Sequence, residues 1–359
     1  MKRIRVAILG QGRSGRDIHG SYLTHDRRRY EIVAAVDPLA DRRRRAAKEF
    51  KCEVFADHRP LLKRDDLDLV INATPSDLHV PVSLAFLRAG FNVLCEKPLA
   101  RRAKDVDRLI AAARKARKVL AIYQQGRFAP YFQQVRKVIA SGVLGRIVQV
   151  SIASAGFSRR WDWQTLQERH GGNLLNTGPH LMDQALQLFG TNTMPQVTCY
   201  MDRATTLGDA EDHVLVTLRG KGRPFVTVEI TSCCAYPKLS YRVYGTHGGL
   251  AGDASHIDWK YYKPSQAPPQ RLTRKPICQP DGTPAYCREQ LKWHTASWDV
   301  PAKKRDLFGS MAAAFYRALY KTLTARAALV VKPKEIRQQI AVIEKCHELN
   351  PQITRKVRR

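Results

Sequence analysis

Apolar residues in the first 125 positions cluster in short runs, with helical patterns of charged and apolar residues between them. Strands that alternate with helices in this way are typical of a parallel sheet built from βαβ units. The pattern predicts a doubly wound, Rossmann-type α/β domain over residues 1–125, with helices from about Ser14 and over 103–117. The predicted strands are "IRVAILG" (4–10), "YEIVAAVD" (30–37), "LDLVINATP" (67–75), "FNVLCEKP" (91–98) and "KVLAIYQ" (118–124).

The pattern changes after about residue 125. In "RIVQVSIASAG" (146–156), apolar and polar residues alternate, as in half-buried strands of an antiparallel sheet. Residues 126–359 are therefore predicted to form an α+β domain with a mainly antiparallel sheet, whose late helices could pack back on the first domain. Further alternating runs cover 213–220, 225–233 and 239–246, a Pro-rich irregular excursion covers 264–290, and helices cover about 305–324 and 333–348.

The composition is that of a globular protein, with 44% hydrophobic and 26% charged residues among 359. No apolar run reaches membrane-spanning length, and the N-terminal run fits a first strand better than a signal peptide. The eight cysteines form no CxxC pair. This usage favours a reducing cytoplasm and argues against a zinc site or a disulfide framework, so no metal is expected.

The chain is strongly basic, with 61 Lys and Arg against 32 Asp and Glu and a formal net charge of +29. Such a charge invites a nucleic-acid interpretation, but the basic residues are spread along the chain. No zinc-finger, helix-turn-helix or RNP-like pattern accompanies them. A solvated basic surface is therefore favoured over a nucleic-acid site, and an anionic substrate remains open.

The segment "GQGRSG" carries a G-x-G-x-x-G pattern at Gly10, Gly12 and Gly15, directly after a strand and before a helix. In this context the glycines permit a tight turn and a close approach of backbone N–H groups to a pyrophosphate. Arg13 and Ser14, inside the loop, are assigned to the same cofactor site.

Asp37 ends the second strand, twenty-two residues after Gly15. Its carboxylate could accept both ribose hydroxyls of an adenosine and would repel a 2′-phosphate, which favours NAD over NADP. Arg42 and Arg43 keep NADP possible, because a nearby arginine is what a 2′-phosphate needs.

The third and fourth strands end in "ATPSDLH" (73–79) and "CEKPLA" (95–100), and both segments should face one crevice. Lys97 could lose pKa by partial burial and help to move a proton. Glu96 could pair with Lys97 or be a surface carboxylate. Further predicted cofactor contacts on these segments are Thr74, Pro75 and His79, although His79, like His19, fits a packing role near the cofactor better than catalysis.

In "GGNLLNTGPHLMDQAL" (171–186), Asn176 and His180 are four residues apart and would share one face of a predicted helix. A lone helical histidine is more often a core residue than a catalyst. The stretch by itself leaves both interpretations open.

Together, "GQGRSG", "ATPSDLH", "EKP" and "GGNLLNTGPHLMD", in this order, resemble the Gfo/Idh/MocA family of glucose–fructose oxidoreductase and inositol dehydrogenase. The resemblance covers essentially the whole chain, including "WDWQT" (161–165). It implies a C-terminal domain whose open sheet often makes an oligomer contact, and a catalytic lysine, here Lys97. It also implies an Asp and a His facing the nicotinamide; His180 matches, whereas Asn176 stands where the family most often has Asp.

On this resemblance, His180 takes the hydroxyl proton as hydride leaves the same carbon for NAD⁺. Asn176 can orient a substrate hydroxyl but cannot place a negative charge near His180, so the imidazole should be less biased towards protonation. More of the proton route could then pass to Lys97. Substrate contacts are also expected from Arg127, Arg160 and Trp163, with loop packing or a solvated charge as an equal alternative for each.

The sequence thus predicts a cytoplasmic, homo-oligomeric NAD(P)-dependent oxidoreductase, dimer or tetramer, acting on a secondary hydroxyl or ketone of a sugar, cyclitol or sugar acid. One alternative is a redox-neutral, NAD-dependent glycoside hydrolase of the same fold. Another is a non-catalytic dinucleotide-binding protein with a basic partner-binding or nucleic-acid-binding surface.

Overall fold

The computed structural model describes residues 2–236 and 238–354. Over residues 4–122, six strands form a fully parallel sheet in the order β3-β2-β1-β4-β5-β6. This order confirms the predicted doubly wound arrangement, in which ligands bind beyond the carboxyl ends of the strands. The strands are β1 (Ile4–Leu9), β2 (Tyr30–Val36), β3 (Glu53–Phe55), β4 (Leu69–Asn72), β5 (Asn92–Cys95) and β6 (Leu120–Ile122).

Helices connect these strands. The helix predicted from Ser14 begins one residue earlier, as a π-helical segment over Arg13–Gly20 that runs into α1. Wide helical turns of this kind are often found at functional sites. The helices are α1 (Ser21–His25), α2 (Ala40–Phe50), α3 (His79–Arg88), α4 (Ala103–Ala116) and, leading into the second sheet, α5 (Pro130–Ala140).

A second sheet of eight strands spans residues 147–299, Pro237 aside, in the order β14-β13-β12-β11-β7-β10-β9-β8. Its strands pair antiparallel except β7 with β10, as the prediction of a mainly antiparallel sheet requires. The strands are β7 (Ile147–Ala155), β8 (Gln196–Asp202), β9 (His213–Arg219), β10 (Phe225–Thr231), β11 (Tyr241–Gly245), β12 (Gly248–Gly252), β13 (His256–Tyr262) and β14 (Trp293–Asp299).

The segment that carries Asn176 and His180 differs from its prediction. Instead of one helix, it forms α6 (Asn173–Asn176) and α7 (Gly178–Phe189), with Thr177 between them. Pro179 lies in the first turn of α7, where its missing N–H is tolerated, whereas inside a continuous helix it would remove a hydrogen bond. Asn176 therefore ends one helix and His180 lies in the first turn of the next.

The closing helices return to the parallel sheet. They are α8 (Leu307–Ala325), α9 (Pro333–Glu348) and α10 (Pro351–Thr354). On α8, the buried Tyr316 accepts a 2.7 Å hydrogen bond from Tyr30 Oη through its carbonyl. On α9, Arg337 forms a 2.9 Å ion pair with Asp107 of α4. The C-terminal helices thus cover one side of the first sheet.

Two further features concern the surface. The Pro-rich segment 264–290, between β13 and β14, is largely exposed and irregular, as predicted. Among residues 2–236 and 238–354, no helix is both long and apolar enough to cross a bilayer.

Candidate active site

The carboxyl ends of β1, β4 and β5 form one side of a crevice, and α6 with α7 forms the other. Lys97, just beyond β5, donates a 2.8 Å hydrogen bond from Nζ to the backbone carbonyl of Asn176. Arg169 pairs at 3.2 Å with Asp77, beyond β4. The fold therefore brings together the segments that the sequence analysis selected from four separate places in the chain.

The glycine loop after β1 shows why two of its glycines are required. Gly10 has φ +89°, and a Cβ there would lie 2.4 Å from the carbonyl oxygen of Ala73. A Cβ at Gly15 would lie 1.8 Å from the carbonyl oxygen of Gly10. At Gly12, by contrast, the nearest described atom is Arg42 Nη1 at 3.8 Å. Gly10 and Gly15 thus serve the packing of the loop, and Gly12 leaves open the side on which a pyrophosphate would approach.

Asp37 holds this loop to the end of β2. Its Oδ2 accepts from the Gln11 amide at 2.8 Å and its Oδ1 from the Leu39 amide at 2.9 Å. Arg42 Nη1 lies 3.5 Å from Oδ2. Each carboxylate oxygen retains lone-pair capacity beside these contacts, and the arginine next to it lies close to Gly12 as well. Asp37 and Arg42 are thus both available to an adenosine ribose.

The loop after β4 is fastened by buried polar groups. Thr74 donates from Oγ1 to Asn72 Oδ1 at 2.7 Å. His79 is buried, with Nδ1 2.7 Å from the Pro98 carbonyl and Nε2 3.0 Å from the Thr74 carbonyl. Burial lowers the pKa of this imidazole, while the Pro98 carbonyl and Glu96 oppose the shift. His79 joins the two loops that carry Thr74, Pro75 and Lys97, so it supports the predicted cofactor site from behind.

Glu96 is not a surface carboxylate. It is buried, with Oε1 3.2 Å from His19 Nε2, and its Oε2 accepts from the Lys97 amide at 3.0 Å. His19 Nδ1 lies 2.6 Å from Tyr316 Oη. Burial raises the pKa of Glu96, but the contacts with His19 and Lys97 outweigh it and bring the pKa to about 2. A negative charge therefore lies directly below Lys97.

Lys97 itself is half-buried at the crevice. Burial lowers the pKa of its ammonium; Glu96 opposes this, and the charges of Arg13 and Arg160 lower the pKa further. A lysine whose neutral form is made more accessible in this way can exchange a proton with a bound hydroxyl.

His180 lies against Gly126, where a Cβ would stand 3.2 Å from Nδ1. This nitrogen is enclosed and finds no hydrogen-bond partner among the described residues. Burial, and then the charge of Lys97, lower the pKa of His180 to about 3. The imidazole is therefore neutral. The preceding Pro179 carbonyl accepts hydrogen bonds from Gln124, at 2.7 Å, and from Gln339.

Asn176 is oriented by Gln164. Its Nδ2 donates to Gln164 Oε1 at 3.3 Å, and the same oxygen accepts from Arg160 Nη2. Arg160 also pairs with Asp162, and Trp163 beside it is exposed. Arg160 therefore reaches Asn176 through Gln164, and its own charge is balanced by a carboxylate.

Glu211, two residues before the start of β9, fixes the backbone of α6. Its Oε1 accepts from the Leu174 amide at 2.9 Å, and its Oε2 is buried with no partner among the described residues. Gly172, with φ +101°, lies so close that a Cβ there would be 2.3 Å from Oε1. Burial raises the pKa of Glu211 to about 7. Glu211 thus holds the turn whose end positions Asn176.

The expected substrate contact from Arg127 is wrong. The guanidinium is only 4% exposed and donates from Nε to Asp183 at 3.0 Å, from Nη1 to the Val330 carbonyl at 3.0 Å, and also to Glu335. Its donors are taken up between α7 and the start of α9. Arg127 therefore joins these helices and does not face the crevice.

Sequence reasoning missed several residues that build this site. Gln124 lies two residues beyond the carboxyl end of β6, and that position alone could have indicated it. Gln164 lies within "WDWQT", a segment that the resemblance included without giving this residue a role. Glu211 and Tyr316 gave no local signal, because their partners are 37 and 297 residues away.

Comparisons with known proteins match two parts of the chain to one family. Residues 4–124 match the profile of the GFO_IDH_MocA oxidoreductase family, described as having an NAD-binding Rossmann fold. Residues 132–251 match the GFO/IDH/MocA C-terminal domain. An NAD-binding protein from Listeria innocua has a similar fold, with a TM-score of 0.80, 22% identity and 98% of each chain covered.

Two curated relatives carry activities in their names. The 2,7-anhydro-N-acetylneuraminate hydratase of Mediterraneibacter gnavus is 26% identical over 264 residues, which cover 70% of this chain and 68% of that protein. The D-glucoside 3-dehydrogenase of Escherichia coli is 32% identical over 204 residues, so this chain spans 57% of that enzyme and aligns over 55% of its own length. The two family profiles together cover most of the chain, which belongs to the Gfo/Idh/MocA oxidoreductase family.

Proposed function

We propose that the protein transfers a hydride between a nicotinamide cofactor and a secondary hydroxyl or ketone of a sugar, cyclitol or sugar acid. The observation that carries this proposal is the hydrogen bond from Lys97 to the Asn176 carbonyl, which joins the two walls of the crevice beside a neutral His180. The name of the glucoside dehydrogenase supports a carbohydrate substrate.

The residues present fit a dinucleotide. The open side of Gly12 supplies the space that a Cβ would fill, and the backbone from Gly12 to Ser14 would hold the pyrophosphate. Asp37 and Arg42 would contact the adenosine ribose, and Thr74 and Pro75 would flank the cofactor. When bound, the nicotinamide supplies or accepts the hydride.

The protein's part in the reaction is to orient the substrate and to move one proton. The His180 imidazole is neutral at physiological pH and can accept a hydrogen bond from the substrate hydroxyl, but a pKa of about 3 makes it a weaker base than Lys97. The lowered pKa of Lys97 lets its ammonium donate to, or exchange a proton with, the same oxygen. Asn176, held by Gln164, can orient the hydroxyl through its amide.

A redox-neutral reaction that uses the same residues is the second candidate. It is favoured by the relative named as a hydratase, since addition or removal of water on a sugar needs the same proton transfers at adjacent carbons. In that case the cofactor would return to its starting state within each cycle.

We also infer a homo-oligomer that assembles through the outer face of the second sheet. Tyr200, Leu215 and Tyr244 are exposed large side chains on β8, β9 and β11, on a broad face of this sheet. A cytoplasmic location fits the cysteine usage. Light scattering of the purified protein, with Tyr244→Asp as the variant expected to dissociate it, tests the assembly.

The first experiment on the reaction is anaerobic absorbance at the reduced-nicotinamide band. The protein is measured as isolated and then with NAD⁺ or NADP⁺ and a panel of sugars, cyclitols and uronates. Net reduction with one class supports the dehydrogenase, and both Lys97→Ala and His180→Ala should abolish it while leaving NADH binding nearly unchanged. Cofactor that copurifies without net reduction supports the redox-neutral reaction. Failure to bind either nucleotide would contradict all of these interpretations of the nucleotide site and leave the basic surface as the feature to explain. Tight binding of duplex DNA with a steep salt dependence would then favour a nucleic-acid-binding role for that surface.

A further inference from the structure

We propose that the crevice continues outwards onto an aromatic rim that binds a second ring, so that the preferred substrate is a glycoside carrying a ring-bearing aglycone or a second sugar. The rim consists of Phe157, Trp161, Leu207 and Tyr236, which are 61%, 77%, 80% and 90% exposed. This inference rests on the proposed function, because it names the substrate class of the same site.

Three loops build the rim as one surface. The Cys234 amide donates to the Gly156 carbonyl at 3.0 Å, which joins the loop after β10 to the loop after β7. The Leu207 amide donates to the Arg160 carbonyl at 3.1 Å, which joins the loop before β9 to the same segment. The four exposed apolar side chains are thus carried by loops that are hydrogen-bonded to one another.

The rim adjoins the reacting residues. Arg160, next to Trp161 in sequence, contacts Gln164, and Gln164 contacts Asn176. A single glutamine side chain therefore separates Asn176 from the segment that carries Trp161. A ring attached to a sugar held at Asn176 would lie against this segment.

The loop that carries Trp161 is also bonded to residues on the Rossmann side of the crevice, and these contacts fix the position of the rim. Arg101, beyond β5, donates from Nη1 to the Gln167 carbonyl at 3.1 Å. Arg169 pairs with Asp77 at 3.2 Å. These contacts hold the rim loop to the Rossmann side, where the cofactor would bind.

The high exposure of the four apolar rim side chains indicates a ligand-binding surface. Single surface hydrophobic residues are ordinary, but several on one surface beside a cleft mark a binding site. Trp161 and Phe157 offer flat apolar faces, and both sugar rings and aromatic aglycones present a face that stacks on them. The guanidinium of Arg160, next to Trp161 in sequence, already pairs with Asp162. The four exposed apolar side chains of the rim therefore fit an uncharged ring better than they fit a phosphate or a carboxylate.

The test compares three probes for each of D-glucose and D-galactose: the free sugar, its methyl β-glycoside and its phenyl β-glycoside. Wild type should show a kcat/KM for the phenyl glycoside about tenfold above that for the methyl glycoside. Trp161→Ser should remove most of this preference, and Trp161→Phe should retain most of it. Tyr286→Ser, an equally exposed aromatic on the Pro-rich excursion, is the matched control and should leave the preference unchanged.

Calorimetric binding of the same glycosides to the NADH-loaded Lys97→Met protein gives a readout without turnover. Tighter binding of the phenyl glycoside than of the methyl glycoside, lost in Trp161→Ser, supports the rim even if wild type oxidises none of the probes. Binding without any oxidation would contradict the proposed oxidation and would still support this inference. Equal binding of methyl and phenyl glycosides overturns the inference and leaves the oxidoreductase intact. A change in oligomeric mass caused by Trp161→Ser overturns it as well, since the rim would then be a contact between copies of the chain.

Discussion

The two walls of the crevice are built in different ways. On the Rossmann wall, Asp37 and Glu96 are buried and both oxygens of each carboxylate already have a contact. On the opposite wall, His180 keeps an enclosed nitrogen with no partner among the described residues, and Asn176 is held by one 3.3 Å side-chain hydrogen bond. The two carboxylates of the first wall are held before any ligand arrives, whereas the Asn176 amide on the second wall keeps donor and acceptor capacity for a ligand.

This contrast separates two tasks. A buried carboxylate held by hydrogen bonds fixes the position of its neighbours, because moving it would leave an unpaired charge in a low-dielectric interior. An amide such as that of Asn176, with one 3.3 Å hydrogen bond, can form others to a bound molecule. The Rossmann wall thus sets where the cofactor and Lys97 lie, and the opposite wall selects what is bound.

The largest expected effect is at Lys97, where the two walls meet. Lys97→Met keeps the apolar stem but removes the proton and the bond to Asn176, so kcat should fall by about 10²–10⁴-fold. Because burial lowers the pKa of Lys97, alcohol oxidation by wild type should rise with pH in a window below 10.5, and the variant should lose that limb. Steady-state rates from pH 6 to 10 measure the fall in kcat and the change in pH dependence. Lys104→Met, at an exposed lysine, is the control. A loss of less than tenfold would assign the proton to His180.

A second prediction concerns Arg127, which the sequence analysis offered as a substrate contact with loop packing or a solvated charge as an equal alternative. Arg127→Met leaves the buried Asp183 and the partly buried Glu335 without their guanidinium, so the free energy of unfolding should fall by about 3–5 kcal/mol. The KM of the folded variant for the sugar should stay within about twofold of wild type. Denaturant unfolding measures the loss of stability and steady-state kinetics measures the KM. Arg146→Met, at an exposed arginine, is the control for both. A raised KM with unchanged stability would restore Arg127 as a substrate contact.

A third prediction concerns the pH dependence of stability at Glu211, which lies beneath α6 on the wall opposite the Rossmann wall. Its pKa of about 7 means that the folded protein retains a proton that the unfolded chain loses above about pH 4.5. Wild-type stability should therefore fall as pH rises between these values, by roughly 3 kcal/mol relative to Glu211→Gln. Unfolding midpoints at pH 5 and pH 8 test this. The exposed Glu168→Gln should follow wild type, and a parallel course for Glu211→Gln would refute the raised pKa.

The smallest effect is expected at Gly12. Gly12→Ala should fold normally, because its Cβ meets open space, and should weaken NADH binding about tenfold, or about 1.4 kcal/mol, by intruding on the pyrophosphate. Fluorescence titration with NADH measures the loss. Gly15→Ala is the contrasting variant: its Cβ would collide with the Gly10 carbonyl, so it should lower stability as well. Equal effects of the two variants would remove the distinction drawn between these glycines.

Sequence predicted well where the signal is local. Helix α9 begins at Pro333 and ends at Glu348, as predicted, because a proline suits the first helical turn. The short β3 and the glycine-rich β12 were missed, since three residues or "GGLAG" carry too little alternation to be recognised. The misassignment of Arg127 has a different cause: its partners lie 56 and 208 residues away, and no local pattern shows in which direction its side chain points.

The chain from Tyr316 through His19 to Glu96 means that the nucleotide-binding half is not a detachable module. Tyr22, Tyr30 and His19 all contact Tyr316, which lies almost two hundred residues beyond the end of that half. A fragment ending near residue 125 would keep every motif residue and yet expose an aromatic pocket and an unsupported carboxylate beneath Lys97. Any transplant of this domain onto another protein, in the laboratory or by recombination, would therefore have to bring α8 with it.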